Sequence, residues 1–177
     1  MANSAAIISL PESHFDVVRP GIMLYGSSPF ADRTADDLEL KPAMQFEAPL
    51  IDIKQVKAGG SVGYGSTFTA EHDMRIGVVA AGYGDGYPRH APDGTPVWIK
   101  GRRLPLAGTV SMDMITVDLS GHDDVRVGDE VELWGPNLAV NEVAARAGTI
   151  GYELLAGMTA RLPRVYRDED PDPEAGS

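Results

Sequence analysis

Apolar and polar positions change their rhythm at Lys41-Pro42. Beyond that point the apolar residues come in short runs broken by Gly, Pro and Asp. From Met44 to Val56 they nearly alternate, at Phe46, Ala48, Leu50, Ile51, Ile53 and Val56, the period of a half-buried strand. Arg75 to Ala81 is an apolar run of the kind buried on both faces. Pro96-Val97-Trp98-Ile99, a turn at Lys100-Gly101 and a return from Leu104 to Val110 predict a hairpin. Met114 to Leu119 and Glu130 to Gly135 complete the set. Many short strands separated by tight turns predict a closed or nearly closed antiparallel β-barrel over residues 42–166. After Val140 the pattern turns helical. Asn141 is the expected N-cap of a helix running to Arg146, and Gly151 to Met158 is a second helix. Arg161 to Tyr166 reads as a last extended segment.

Before Lys41 the texture differs. Ile22-Met23-Leu24-Tyr25, entered through Pro20-Gly21, predicts a short buried strand. So small a piece has too few apolar neighbours to be a domain. Residues 1–30 are therefore expected to be poorly packed alone, with residues 31–41 as a polar, acidic linker. Five of the chain's acids (Asp168, Glu169, Asp170, Asp172 and Glu174) crowd the last ten residues. With so little apolar surface to offset ordering, residues 167–177 are expected to be a disordered tail.

Composition then removes function classes. The chain has 177 residues and a net charge of −11. An acidic chain with no basic stripe lacks the cations that neutralise phosphates, so nucleic acid is not an expected partner. There is no cysteine, hence no disulfide, thiolate metal site or cysteine nucleophile. His14, His72, His90 and His122 are scattered without metal-ligand spacing, so no metal is expected. No run approaches the ~18 apolar residues of a membrane span, and no signal-peptide pattern opens the chain. A cytoplasmic protein is the expectation.

Candidate chemistry begins with two tyrosines set between glycines, Tyr64 in Gly63-Tyr64-Gly65 and Tyr83 in Gly82-Tyr83-Gly84. Flanking glycines remove neighbouring side chains and permit unusual backbone angles, so such a phenol can approach a flat ligand closely. Taken alone, each is equally an aromatic at a hairpin end.

Context decides between these readings. Ala2-Asn3-Ser4-Ala5-Ala6, Val18-Arg19-Pro20-Gly21-Ile22, Gly63-Tyr64-Gly65, Ser111-Met112-Asp113 and Thr149-Ile150-Gly151-Tyr152-Glu153 occur in this order and at these separations. Together they closely resemble alanine racemase, a family that uses pyridoxal 5'-phosphate, and the resemblance extends from Ala2 to about Tyr166. It implies an N-terminal (β/α)8 barrel that holds the cofactor and a C-terminal β domain. This chain resembles the last strand of that barrel plus the whole β domain, and is mainly β. The implied function is interconversion of L- and D-alanine by two bases, supplying D-alanine for peptidoglycan, in a homodimer whose active site is shared between subunits.

The resemblance carries roles to individual residues. Tyr64 matches the tyrosine base that faces the cofactor from the partner subunit. A phenol has an ordinary pKa near 10, so it needs cationic or donating neighbours to act near neutrality. Arg19 matches the arginine at the cofactor's pyridine nitrogen. A guanidinium stays protonated and has no acceptor, so it keeps that nitrogen unprotonated and favours simple reprotonation over transamination. Ser4, Gly21 and Ile22 match the phosphate site, through the hydroxyl and through backbone N–H groups, and Tyr152 matches a tyrosine whose hydroxyl reaches the same phosphate. Met112 matches the residue whose N–H binds the substrate carboxylate, and Tyr83 a tyrosine near the substrate entrance. Thr109 stands where other members often have arginine.

Other family parts have no match. The Schiff-base lysine lies in the N-terminal barrel, and none of Lys41, Lys54, Lys57 or Lys100 is at a comparable strand end. The arginine that holds the substrate carboxylate is also absent. The isolated chain is thus expected to be an inactive C-terminal part that binds the cofactor weakly at most. A racemase for serine or for several amino acids, or a non-catalytic β-barrel interaction module, are the alternatives.

Overall fold

The computed structural model of this protein describes residues 1–63, 65 and 67–167. Eight strands follow one another along the chain: β1 (Phe46–Val56), β2 (Ser61–Val62), β3 (Phe68–Thr69), β4 (Met74–Val79), β5 (Pro96–Ile99), β6 (Arg102–Pro105), β7 (Ile115–Asp118) and β8 (Glu130–Trp134). Six of them form one antiparallel sheet in the order β6-β5-β8-β1-β4-β7. Its two edges meet. Leu106, just past β6, bridges Val117 in β7, and the Ala107 N–H donates to the Thr116 carbonyl at 2.9 Å. The sheet is thereby closed into the barrel that the strand rhythm predicts, and it keeps no long open edge.

The long strand β1 makes closure possible by serving two neighbours. Its first half pairs with β8 (Phe46↔Trp134) and its second half with β4 (Ile53↔Gly77). The exchange occurs at Pro49-Leu50, where a proline costs no ladder bond because the strand is changing partners there. The register of β1 against β4 then shifts between Leu50 and Asp52. Phe46, Ala48 and Leu50 point inward and Ile51 outward by plain alternation, although Ile51 belongs to the apolar set, and the irregularity then leaves Asp52 outside and Ile53 half-buried. The interior is aliphatic around Leu50, Val79, Val97, Ile115 and Leu133. At one end Trp134 packs edge-on against Phe46, with centroids 4.9 Å apart, and lies nearly parallel to Tyr87 at 6.1 Å.

Outside the barrel, β2 and β3 form a small hairpin over a satellite cluster of Val62, Ala70, Met74, Ile76 and Ala107. The buried carboxylate of Glu132, in β8, accepts from the Asn137 and Leu138 N–H groups at 2.8 and 3.0 Å and from the Asn137 amide at 2.8 Å. It thereby fixes the turn into the C-terminal helices.

Among the described residues there are three short α-helices: α1 (Ser4–Ser9), α2 (Val140–Arg146) and α3 (Gly151–Ala156). The residue flanking α2 is Ala139, with no side-chain cap. Asn141, the expected N-cap, sits inside the helix instead. Its side chain accepts from the Ser27 hydroxyl and donates to the Ser28 carbonyl at 2.9 Å. These tertiary partners take the place of the cap and fasten the N-terminal segment to α2.

Ile22–Tyr25 is a 3-10 helix and not a strand. No neighbouring strand offers it a ladder among the described residues, so its backbone bonds locally: the Leu24 N–H to the Gly21 carbonyl at 2.9 Å, and the Gly26 N–H to the Met23 carbonyl at 3.1 Å. Ile22 is buried, but Leu24 and Tyr25 are exposed. The barrel-like pairing lies a few residues earlier, as a parallel bridge from Ala2 to Val18 with α1 in the connection between them. Phe15 is 85% exposed, and Leu10 and Val17 are exposed as well, so this piece is apolar on its outside. Residues 168–177, nearly all of the expected tail, lie outside the described residues. Among the described residues, no helix is long and apolar enough to cross a membrane.

Candidate functional site

Two groups of candidate residues come together, each within its own part of the chain. The first is N-terminal. Asn3 caps α1, its side chain accepting from the Ala6 N–H at 3.1 Å. That cap starts the helix at Ser4, whose hydroxyl is thereby aimed at the Pro20-Gly21 turn. Ser4 Oγ accepts from the Gly21 N–H at 2.9 Å and from the Met23 N–H at 3.4 Å. Ser4 is only 3% exposed. A Cβ on Gly21 would stand 3.8 Å from Ser4 Oγ, in the space that the bare backbone leaves open. A hydroxyl and backbone N–H groups gathered at one glycine turn are the donor types that a phosphate end requires, and here the N–H groups are directed at the hydroxyl itself. Ile22 begins the 3-10 helix directly after Gly21. The residues present therefore fit the phosphate end of pyridoxal phosphate.

Arg19 extends from the parallel bridge, its N–H donating to the Ala2 carbonyl at 2.7 Å. Its side chain is exposed and makes no ion pair among the described residues. Tyr152 lies in the first turn of α3 and is 46% exposed. It lines a cavity shared with Ser27 and Ser28, because Gly151 packs closely against this segment. A Cβ there would come within 2.7 Å of Asn141 Oδ1 and 3.0 Å of Ser27 Oγ.

The second group is at one mouth of the barrel. The loop after β4 carries Tyr83, and the turn before β7 carries Met112. The Tyr83 N–H donates to the Ser111 carbonyl at 3.0 Å, and the Gly84 N–H to the Met112 carbonyl at 2.8 Å. Contact this close explains the glycine at 82, where a Cβ would overlap the Ser111 and Met112 carbonyl oxygens and lie 2.5 Å from the Met112 carbonyl carbon. Tyr83 is 38% exposed at this mouth. Its neighbour Tyr87 is buried, and burial drives that phenol's pKa well above its ordinary value. Tyr87 therefore packs and does not titrate near neutrality.

Tyr64 lies outside the described residues. Its two flanking glycines are described, and both have left-handed φ, +79° at Gly63 and +72° at Gly65. Only residues without a Cβ adopt such angles readily. The turn that carries them lies between β2 and β3 and meets the loop between β6 and β7, where Thr67 and Thr109 share a hydrogen bond at 2.9 Å. Thr109 thus serves as an anchor for this turn.

Sequence reasoning missed a clasp behind the second group. The Arg161 guanidinium reaches Asp85 Oδ1 from Nε at 3.2 Å and Asp113 Oδ1 from Nη2 at 2.6 Å. Asp85 is only 6% exposed, and its other oxygen accepts from the Gly82 N–H at 2.9 Å. The Asp113 hydrogen bond, followed by the charge of Asp85, holds the guanidinium pKa above its ordinary range. Asp85 and Asp113 adjoin the candidate motifs, but Arg161 is distant in sequence, and local spacing carries no signal for it. Among the described residues, no group of His, Cys, Asp or Glu is placed to hold a metal ion.

Comparison with known proteins adds to this geometry. The family model "Alanine racemase, C-terminal domain" matches residues 43–166, and "Alanine racemase, N-terminal domain" matches residues 1–29. The biosynthetic alanine racemase of Pseudomonas aeruginosa is 60% identical over 166 residues, which cover 94% of this chain and 46% of that protein. The crystal structure of the Pseudomonas aeruginosa biosynthetic enzyme superposes with a TM-score of 0.92 at 59% identity, over 94% of this chain and 47% of the other. The alanine racemase of Bartonella henselae, solved with covalently bound pyridoxal phosphate, has a TM-score of 0.84 at 35% identity, over 94% and 46%. The chain spans about half the length of the curated relatives it matches.

Proposed function

For a chain that belongs to the alanine racemase family, we propose the role of the C-terminal part of a pyridoxal-phosphate-dependent alanine racemase, contributing one of two acid/base groups and part of the cofactor cage. The observation that carries this reading is its high identity with a biosynthetic alanine racemase along nearly all of its length. The convergence of Gly21 and Met23 N–H groups on the Ser4 hydroxyl supports it independently.

Bound pyridoxal phosphate would supply the electron withdrawal that loosens the alanine Cα proton. The chain's own residues would hold it and supply one of the two bases. Ser4 and the Gly21 and Ile22 backbone would hold the phosphate end, with Tyr152 contributing its hydroxyl. Arg19, which has donors only, would face the pyridine nitrogen and keep it unprotonated. The Met112 N–H orients the substrate carboxylate, and Tyr83 lines the approach. Tyr64 would exchange a proton with the substrate Cα on one face. The opposite face would need a second base, and none of Lys41, Lys54, Lys57 or Lys100 matches the family's lysine. The two groups of candidate residues lie in separate parts of the chain. This separation suits a homodimer in which the barrel mouth of one subunit faces the cofactor of the other. The product D-alanine would serve peptidoglycan synthesis. Alone, the chain is expected to be inactive.

The test joins this chain to the N-terminal half of the Pseudomonas aeruginosa biosynthetic enzyme and follows isotope exchange at Cα from each alanine enantiomer. Tyr64→Phe is expected to cut exchange from L-alanine by roughly 10²–10⁴-fold, the usual worth of a general base, and to spare D-alanine. Equal loss from both would make Tyr64 a positioning group, and no loss would return it to a packed hairpin aromatic. Higher turnover of serine than of alanine would favour the broader racemase reading. A folded, dimeric, inactive chimera would favour the interaction module.

A further inference from the structure

We propose that Arg161 is a positioning residue that sets the placement of the Met112 N–H relative to Tyr83, by tying the two loops at the barrel mouth into one rigid unit. The inference rests on the reading of Met112 and Tyr83 as substrate-facing groups, and its first test does not depend on that reading. Three segments meet at this point. Residues 157–161 form a strap across the loop that carries Tyr83: the Thr159 hydroxyl donates to the Gly84 carbonyl at 2.9 Å, and the Thr159 N–H to the Asp85 carbonyl at 3.3 Å. The fit is tight, since a Cβ on Gly86 would lie 2.7 Å from the Gly157 carbonyl oxygen.

From the end of the strap, one edge of the Arg161 guanidinium divides between two carboxylates on different loops, Asp85 at 3.2 Å and Asp113 at 2.6 Å. Asp113 directly follows Met112, so its ion pair pins the end of the turn whose preceding peptide carries both the Met112 N–H and the Ser111 carbonyl that accepts from the Tyr83 N–H. Asp85, almost wholly buried, passes the constraint to Gly82 and hence to Tyr83. Gly84 completes the arrangement: a Cβ there would overlap Arg161 Nη1 and lie 3.0 Å from the Met112 carbonyl oxygen. The planar fork matters. An ammonium is a point charge that cannot present two fixed donors along one edge. Lysine at 161 is therefore expected to fail as a substitute.

The first test is amide exchange on the full chain. Arg161→Ala and Arg161→Lys should speed exchange at Tyr83 and Gly84 by tenfold or more on the order of magnitude of one lost ion-paired support, while strand amides such as Val79 and Val131 keep their rates. Arg103→Ala, which removes the separate Arg103–Glu142 pair, should leave Tyr83 and Gly84 unchanged. Uniform acceleration at all sites, or none, would overturn the proposal. The second test uses the chimera described above. Both Arg161 variants should raise KM for alanine roughly threefold to tenfold, the worth of one well-placed hydrogen bond, with kcat nearly unchanged. A fall in kcat at constant KM, or full rescue by lysine, would overturn the positioning role. An inactive unsubstituted chimera would count against the proposed function, and the exchange result would still decide the clasp.

Discussion

At the scale of single residues, Tyr87 and Tyr83 show how position divides two similar side chains. They lie four apart in one glycine-rich loop, yet Tyr83 is exposed and Tyr87 is sealed against Trp134. The Tyr87 hydroxyl has no hydrogen-bond partner among the described residues. A buried hydroxyl without a partner costs about 1–3 kcal/mol, so Tyr87→Phe is expected to be stabilising by about 1 kcal/mol in urea unfolding. The sign of its pH dependence follows from the raised pKa. The neutral phenol is favoured by the fold, so its contribution is complete below the unfolded value of about 10 and declines as pH rises above it. Tyr87→Phe should therefore also lessen the loss of stability above about pH 10. The sequence sets Tyr83 between two glycines and Tyr87 between Gly86 and Pro88, but nothing in that difference says which ring is sealed in the core. Ser4 and Gly21 were singled out only through the family resemblance of their motifs, and the bond from the Gly21 N–H to the Ser4 hydroxyl appears with the tertiary structure. Arg161 was not singled out, because its partners are set by a strap and a turn that only tertiary structure brings together.

At the scale of elements, strands were readable and their neighbours were not. The alternation at the start of β1 survives folding because one face is buried, and the apolar runs of β4, β5 and β8 survive because they are buried nearly throughout. Ile51 faces outward by the same alternation, and the irregularity beside it, which no local pattern announces, leaves Ile53 half-buried. The apolar run Ile22–Tyr25 looks like a strand, but a strand needs a partner, and without one the run closes on itself as a 3-10 helix. Asn141 illustrates the same lesson for helices. Its position favoured a cap, and the tertiary bonds to Ser27 and Ser28 won. Asn141→Ala should accordingly leave the helicity of α2 nearly unchanged and release the segment at residues 26–28. The expected cost is about 1–2 kcal/mol for two lost hydrogen bonds, read as faster amide exchange confined to residues 26–28 and the start of α3. A loss of α2 itself would show that Asn141 acts as a cap after all.

At the scale of the whole molecule, the barrel is a ring whose closure depends on β1 having two partners from distant parts of the chain. The β5–β6 turn is local, with Ile99 paired to Arg102, and the ring also needs Phe46 to meet Trp134. Kinetics follow from that geometry. During synthesis β1 emerges early but cannot find its β8 neighbour until residue 134 has left the ribosome, so the ring forms only after almost the whole domain exists. In refolding experiments the β5–β6 hairpin should gain exchange protection first, within microseconds, and the β1–β8 amides last, in milliseconds to seconds as for other non-local β topologies. Simultaneous protection of both pairs would show that closure is not the slow step. Until it closes, β1 presents unpaired backbone groups to any other nascent chain, and the switch of partners at Pro49 is then a safeguard: a proline midway along the waiting strand limits how far a foreign strand can zip onto it.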